Sequence, residues 1–143
     1  MNTSERIPLA LFVLRVSVFL VMAMWTLDKF VRPEHAASVF EHFYGLGGLG
    51  AGLMYTFAAA ELLLLLGFVA GYAQRLTYGA VLVLHAVSTV SSYRQYLHPF
   101  ENANLLFFAA WPMLGACFAL YMLRDLDTRW RRGRHVKVAS PGG

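Results

Sequence analysis

Three ionisable side chains interrupt apolar stretches of this sequence. Arg15, Glu61 and His85 each stand in a run of residues that is otherwise almost entirely hydrophobic. A charge at the centre of a membrane helix costs roughly 2.5–3.5 kcal/mol on insertion scales, so such residues usually face a partner or a cavity. A guanidinium pairs with a carboxylate, and an imidazole exchanges a proton near neutral pH. We therefore predict one polar cluster, Arg15–Glu61–His85, as the candidate catalytic site.

The predicted cluster depends on a count of depth along three helices. Depth is counted inward from the cytoplasmic end of each span, at about 1.5 Å per residue along a helix. Arg15 then lies roughly 10 Å deep, and Glu61 and His85 each lie roughly 14 Å deep. Inward-facing groups at one depth meet in a bundle. Two alternatives stay open. Arg15 reaches back to the membrane surface, or the buried Glu and His bond to each other or to backbone carbonyls and act only structurally.

The composition indicates a membrane protein. Of 143 residues, 58% are hydrophobic and only 14% are charged, which is too apolar for an ordinary soluble domain. Four apolar segments, 8–31, 49–70, 76–96 and 103–123, are each near the ~20 residues that a helix needs to cross hydrocarbon. They are continuously apolar rather than alternating, which favours helices over strands. We predict an all-α, polytopic membrane protein with four transmembrane helices in an antiparallel bundle over residues 1–126, the first span remaining uncleaved.

The connection between the first two spans is too long for a tight turn. Its aromatic residues predict a short amphipathic helix on the outer surface, begun by Pro33 and ended by Gly45. After the bundle, residues 127–143 form a basic tail that we expect to be disordered or to lie on anionic lipid headgroups.

Basic residues predict the orientation. With both termini cytoplasmic, the inner side carries eight of them and the outer side three. The inner eight are Arg6, Arg75, Arg124, Arg129, Arg131, Arg132, Arg134 and Lys137, and the outer three are Lys29, Arg32 and Arg94. We expect a multi-pass protein of the cell membrane. The net charge of +4 follows from this topology, and no recognition fold points to nucleic acid.

The outer connections are where an aqueous partner would bind. Our candidate partner-binding residues are Lys29, His35, His42, Arg94, His98 and Glu101. We predict no metal site, because His35 and His42 are seven residues apart, about 10 Å along a helix, and cannot share one ion unless the segment bends. The single cysteine, Cys117, excludes an internal disulfide.

Three stretches carry a family resemblance. They are LFVLRVSVFLVMAMWTLDKFVRPE, AELLLLLGFVAGYAQRL and NANLLFFAAWPMLGA. With them, the sequence resembles the DoxX-like family of small four-helix membrane proteins over nearly all of residues 11–126. The second stretch is the most specific of the three. The resemblance implies that Arg15, Lys29, Glu61, Gly67, Gly71 and Arg75 are family-pattern positions.

The resemblance also implies a class of function. DoxX-like proteins are similar to membrane subunits of quinone-linked oxidoreductase systems, which dock a redox partner. The expected partners are therefore membrane lipid, a partner protein subunit and quinone. No intrinsic cofactor is expected, so electrons would enter from the partner. The alternative function is a non-catalytic accessory or assembly subunit of a larger membrane complex, in which Glu61 and Arg15 only fix the register of the helices.

Overall fold

The structure, a computed structural model, describes residues 2–131, and within that range it contains helices and no strand. The α-helices are α1 (Thr3–Val31), α2 (Pro33–Tyr44), α3 (Ala51–Val69), α4 (Gln74–Ser91), α5 (Tyr93–Leu97) and α6 (Ala110–Met122). Two 3₁₀ segments, Asn104–Ala109 and Arg124–Leu126, lie on either side of α6. The all-α prediction is confirmed. Part of the predicted tail, residues 132–143, lies outside the described residues.

Three helical stretches are long and apolar enough to cross a membrane. They are Thr3–Val31, Ala51–Val69 and Asn104–Met122, the last combining the first 3₁₀ segment with α6. Large apolar side chains such as Leu20 and Leu63 point outward and are exposed, as expected where lipid replaces water. These features are typical of a membrane protein. The segment predicted as the third span forms α4 and α5 instead, and α4 is not among the three stretches because polar residues interrupt its apolar positions.

The long helices form one bundle. α1 packs mainly on α3 and α4 mainly on α6, while contacts of α3 with α4 and of α1 with α6 close the arrangement. α1 and α3 are antiparallel, because Phe30 near the end of α1 stacks on Tyr55 near the start of α3. We call the end where α1 begins the N-terminal end. The buried core lies between the helices and includes Leu11, Val18, Leu65, Phe68, Tyr78, Val81, Cys117 and Leu120.

The short helix α2 has the bounds that the sequence predicts. Pro33 is its first residue and Gly45 ends it with a left-handed φ of 68°, a conformation that glycine adopts without steric cost. α2 packs on α1 and α3, with Phe40 stacked on Phe57 at 5.7 Å between ring centroids. The amphipathic helix thus lies at the end of the bundle opposite the N-terminal end.

The turn between α3 and α4 requires glycine at position 71. Gly71 has a φ of +63°, and a Cβ added to it would lie 2.7 Å from Nη1 of Arg15. A side chain at this position would meet both an unfavourable backbone conformation and a buried guanidinium. The turn between α3 and α4 therefore packs directly against the guanidinium of Arg15.

We predict that Gly71→Ala lowers the free energy of unfolding by at least about 1 kcal/mol, because the native φ is incompatible with alanine. The matched control is Gly115→Ala in α6, where an added Cβ meets nothing within 4 Å. Unfolding of both variants in detergent measures the difference. Equal stabilities for the two variants would show that the close approach of Gly71 to Arg15 is not a constraint.

Candidate functional site

The predicted cluster of Arg15, Glu61 and His85 does not form. Among the described residues, each of these side chains bonds to a different group and none to another member of the trio. The depth count was wrong because it assumed that the predicted spans all end at the same level on one side of the bundle. α1 begins at Thr3, before the predicted start of its span, and Arg15 lies level with Gly71, just beyond the end of α3. Glu61 stands ten residues earlier on the chain than Gly71, about 15 Å away along a helix axis.

Arg15 is fully buried at the N-terminal end of the bundle, with 0% of its surface exposed. Its Nη1 donates to Oδ2 of Asp127 and to the hydroxyl of Tyr78, both at 3.0 Å. Its Nη2 donates to the backbone carbonyl of Arg129 at 2.7 Å. The guanidinium is also 5.3 Å from the centre of the Phe12 ring. The guanidinium is therefore covered by the chain that folds back after α6, at the level of the turn between α3 and α4.

Asp127 connects the last described residues to two helices. Its Oδ2 accepts a hydrogen bond from Tyr78 at 2.6 Å, and its carbonyl accepts one from Gln74 at 2.9 Å. Gln74 also donates to the Tyr78 hydroxyl at 3.2 Å. Asp127 and Arg129, which the sequence assigns to a disordered tail, thus belong to a buried network of charged and polar groups. We name it the Arg15–Asp127 network.

A signal for Asp127 exists in the sequence. An arginine in an apolar run requires an anion at its own level, and Asp125 and Asp127 are the acids that follow the last span. Sequence reasoning missed Asp127 because it looked for partners only inside the spans. The choice between the two acids depends on the path of the 3₁₀ turn Arg124–Leu126, which local sequence does not define.

His85 has a structural partner. Its Nε2 lies 3.0 Å from the carbonyl oxygen of Ala110 at the start of α6, and its own carbonyl accepts a hydrogen bond from Thr89. This arrangement connects α4 to α6. It corresponds to the alternative in which a buried imidazole bonds to a backbone carbonyl.

Glu61 pairs with Lys29. Oε2 of Glu61 is 2.8 Å from Nζ of Lys29, and the side chains are 18% and 12% exposed. Lys29 was predicted to face an outer partner, but it turns back along α1 into the bundle, where Nζ also contacts the carbonyl of Trp25 at 3.4 Å. The pair joins the last turns of α1 to the middle of α3. An ammonium and a carboxylate in contact offer a proton donor and a proton acceptor inside a largely apolar setting.

A second charged group lies next to this pair on the surface. Asp28 accepts from Nε of Arg32 at 2.7 Å and lies 2.7 Å from Nδ1 of His35. The His35 side chain is 45% exposed, whereas that of Asp28 is only 12% exposed. The predicted partner-binding residue His35 is therefore on the surface, close in sequence to the Lys29–Glu61 pair.

The remaining predicted partner-binding residues fall into two places. His42 and Arg94 line a groove of about 310 Å³ between α2 and α5, together with Glu41 and Gln95. The hydrogen bond that Arg94 donates to the hydroxyl of Tyr93 raises the pKa of Arg94. His98 and Glu101 form an exposed pair in the next loop, 3.5 Å apart. Within residues 2–131 no three His, Cys, Asp or Glu side chains are grouped as metal ligands.

The chain matches no protein-family model, no curated protein and no solved structure. The resemblance to the DoxX-like family therefore stays a prediction.

We predict that Asp127→Asn lowers the free energy of unfolding by about 3 kcal/mol or more, because it leaves the guanidinium of Arg15 buried without a counter-charge. The matched control is Asp125→Asn, two residues earlier and exposed. Unfolding in mixed detergent micelles measures both variants. Asp127 would not be the essential counter-charge if the two substitutions had the same effect.

Proposed function

We propose that this protein is an integral membrane subunit of a quinone-linked oxidoreductase system, with the DoxX-like architecture of four antiparallel membrane helices. Three apolar helices support this architecture, and α4, which packs on α3 and α6, would be its fourth span. The protein would be multi-pass in the cell membrane. It would bind a redox partner protein from which the electrons come.

The distribution of charge in the described residues supports cytoplasmic termini. The half of the bundle at the N-terminal end carries six cations and three acids, a net charge of +3, and the opposite half carries three cations and five acids, a net charge of −2. The more basic side of a membrane protein is the cytoplasmic one as a rule. α2 and the groove containing His42 would then face outward, where the partner binds.

The Lys29–Glu61 pair is the observation that carries the functional proposal. It is the place in the described structure where an acid and a base lie together along the apolar length of the bundle. Both side chains keep a small exposed area, and on this proposal a molecule dissolved in the lipid reaches them there. An ion pair that is needed only for helix register has no need of such access.

The chemistry of this pair suits quinone reduction, in which a quinone takes up two electrons and two protons to become the quinol. Lys29 is positioned to donate a proton toward a carbonyl oxygen, and Glu61 to hold the lysine charged and to pass a replacement proton. Asp28 adjoins Lys29 in the sequence and pairs with the exposed His35, and protons would enter from that side. Two such transfers balance the two electrons supplied by the partner.

The accessory subunit is the second candidate function. It is favoured by the partners of Arg15 and His85, which bind Asp127 and a backbone carbonyl and so stabilise the fold without offering a reactive group. On this reading the Lys29–Glu61 pair is a third structural connection, and the protein serves to hold another membrane protein.

We predict that the full chain, purified in mild detergent from the membranes of its own cell, retains quinone that lipid extraction recovers. Glu61→Gln should lower that quinone at least about tenfold, because it removes the charge that holds Lys29 while keeping the shape of the side chain. The matched control is Glu101→Gln, because the Glu101 side chain is 69% exposed. This variant should retain the quinone.

Mass spectrometry of the same preparations identifies proteins that co-purify, and the unfolding temperature shows whether Glu61→Gln remains folded. A stoichiometric partner protein without quinone in the unaltered chain would contradict the redox function and favour the accessory subunit.

A further inference from the structure

An apolar groove runs along the outside of the bundle between α3 and α4. It has a volume of about 510 Å³, and one charged residue, Arg75, lies on its border. The other lining residues are Leu64, Leu76, Gly79, Ala80, Val83 and Leu84. Ala80 is small and lies among the larger Leu76, Val83 and Leu84, which leaves room at this surface. Gly79 is different, because a Cβ added to it would lie 3.3 Å from the ring of Tyr121. The groove is thus an open apolar surface with a cation beside it, which an apolar chain can cover.

Arg75 lies at one end of this groove. It is the second residue of α4, and Leu84 follows nine residues later, about 13 Å along the helix. Arg75 is exposed, and among residues 2–131 it has no ion pair and its side chain makes no hydrogen bond. By contrast, Arg15 and Lys29 are each matched to a carboxylate. The guanidinium of Arg75 is therefore available to an anion from outside the chain.

The level of Arg75 identifies where such an anion would lie. The apolar stretch of α3 ends at Val69 and α4 begins at Gln74, so Arg75 lies just past the end of a candidate span. If α3 crosses the membrane, Arg75 is at the depth of the lipid headgroups, while Val83 and Leu84 are at the depth of the acyl chains. A phosphate at Arg75 would place its own hydrocarbon tail along the groove.

We propose that this groove binds one anionic phospholipid, with the phosphate at Arg75 and an acyl chain between α3 and α4. The net charge of +3 in this half of the bundle favours an anion, and anionic lipids are concentrated in the cytoplasmic leaflet. A free phosphate would leave the apolar groove unused. A second copy related by a two-fold axis along the membrane normal would bring two Arg75 side chains to the same depth, where their charges repel. The lipid site is independent of the redox function, and it rests on the cytoplasmic placement of this end of the bundle proposed above.

The test is native mass spectrometry of the detergent-purified full chain, titrated with phosphatidylglycerol and with phosphatidylcholine of the same acyl chains. We expect the unaltered chain to bind the first phosphatidylglycerol more tightly. Arg75→Gln should reduce that preference about fivefold, the effect of one arginine near an anionic surface. Arg6→Gln, which removes an exposed cation from the same end of the bundle but not from the groove, should leave the preference unchanged.

A second substitution tests the groove itself. Ala80→Leu adds bulk to its lining and should weaken binding of both lipids, while the unfolding temperature confirms that the variant is folded. Equal losses of preference in Arg75→Gln and Arg6→Gln would overturn the proposal in favour of general attraction to a basic surface. Unchanged lipid binding in Ala80→Leu would also overturn the proposal. So would a dimer of the chain that becomes stronger in Arg75→Gln and that added lipid does not dissociate.

Discussion

The neutralisation of two charges on α1 is the constraint on which the rest of this structure depends. Arg15 and Lys29 lie fourteen residues apart on one helix, about 21 Å along its axis. Neither is tolerated in an apolar setting without a counter-charge close by. Asp127 supplies it for Arg15 and Glu61 for Lys29. Each pairing brings a different part of the chain to α1, one in the first half of the helix and one at its last turn.

These two pairings explain features that otherwise have separate causes. The Arg15–Asp127 network holds the chain after α6 against α1 and α4, so that residues beyond the last helix become part of the fold. The same guanidinium lies against Gly71, which accounts for the glycine in the turn between α3 and α4. At the other end, the Lys29–Glu61 pair fixes the position of α3 along α1. Between the two pairs the helices are held by apolar contacts that do not specify register by themselves.

Much of the fold follows from the sequence, because apolar runs of about twenty residues have few alternatives to a helix in lipid. The bounds of α2 were also predictable, since Pro33 and Gly45 act through their own backbone geometry. The pairing of the charges was not. α1 has 29 residues and α3 has 19, so their ends do not coincide, and a depth count from one end places Arg15 level with the wrong carboxylate. That offset is set by packing between helices, which sequence does not encode locally.

Glu61 is the partner of Lys29 and not of Arg15. Cross-linking tests it directly, because replacing Cys117, the single cysteine, gives a cysteine-free chain. Cysteine pairs at positions 29 and 61, and separately at 15 and 61, are treated in membranes with a bifunctional thiol reagent about as long as a Lys–Glu pair. We predict intramolecular cross-linking of 29 with 61 and none of 15 with 61. Cross-linking of 15 with 61 would contradict the arrangement of charges described above.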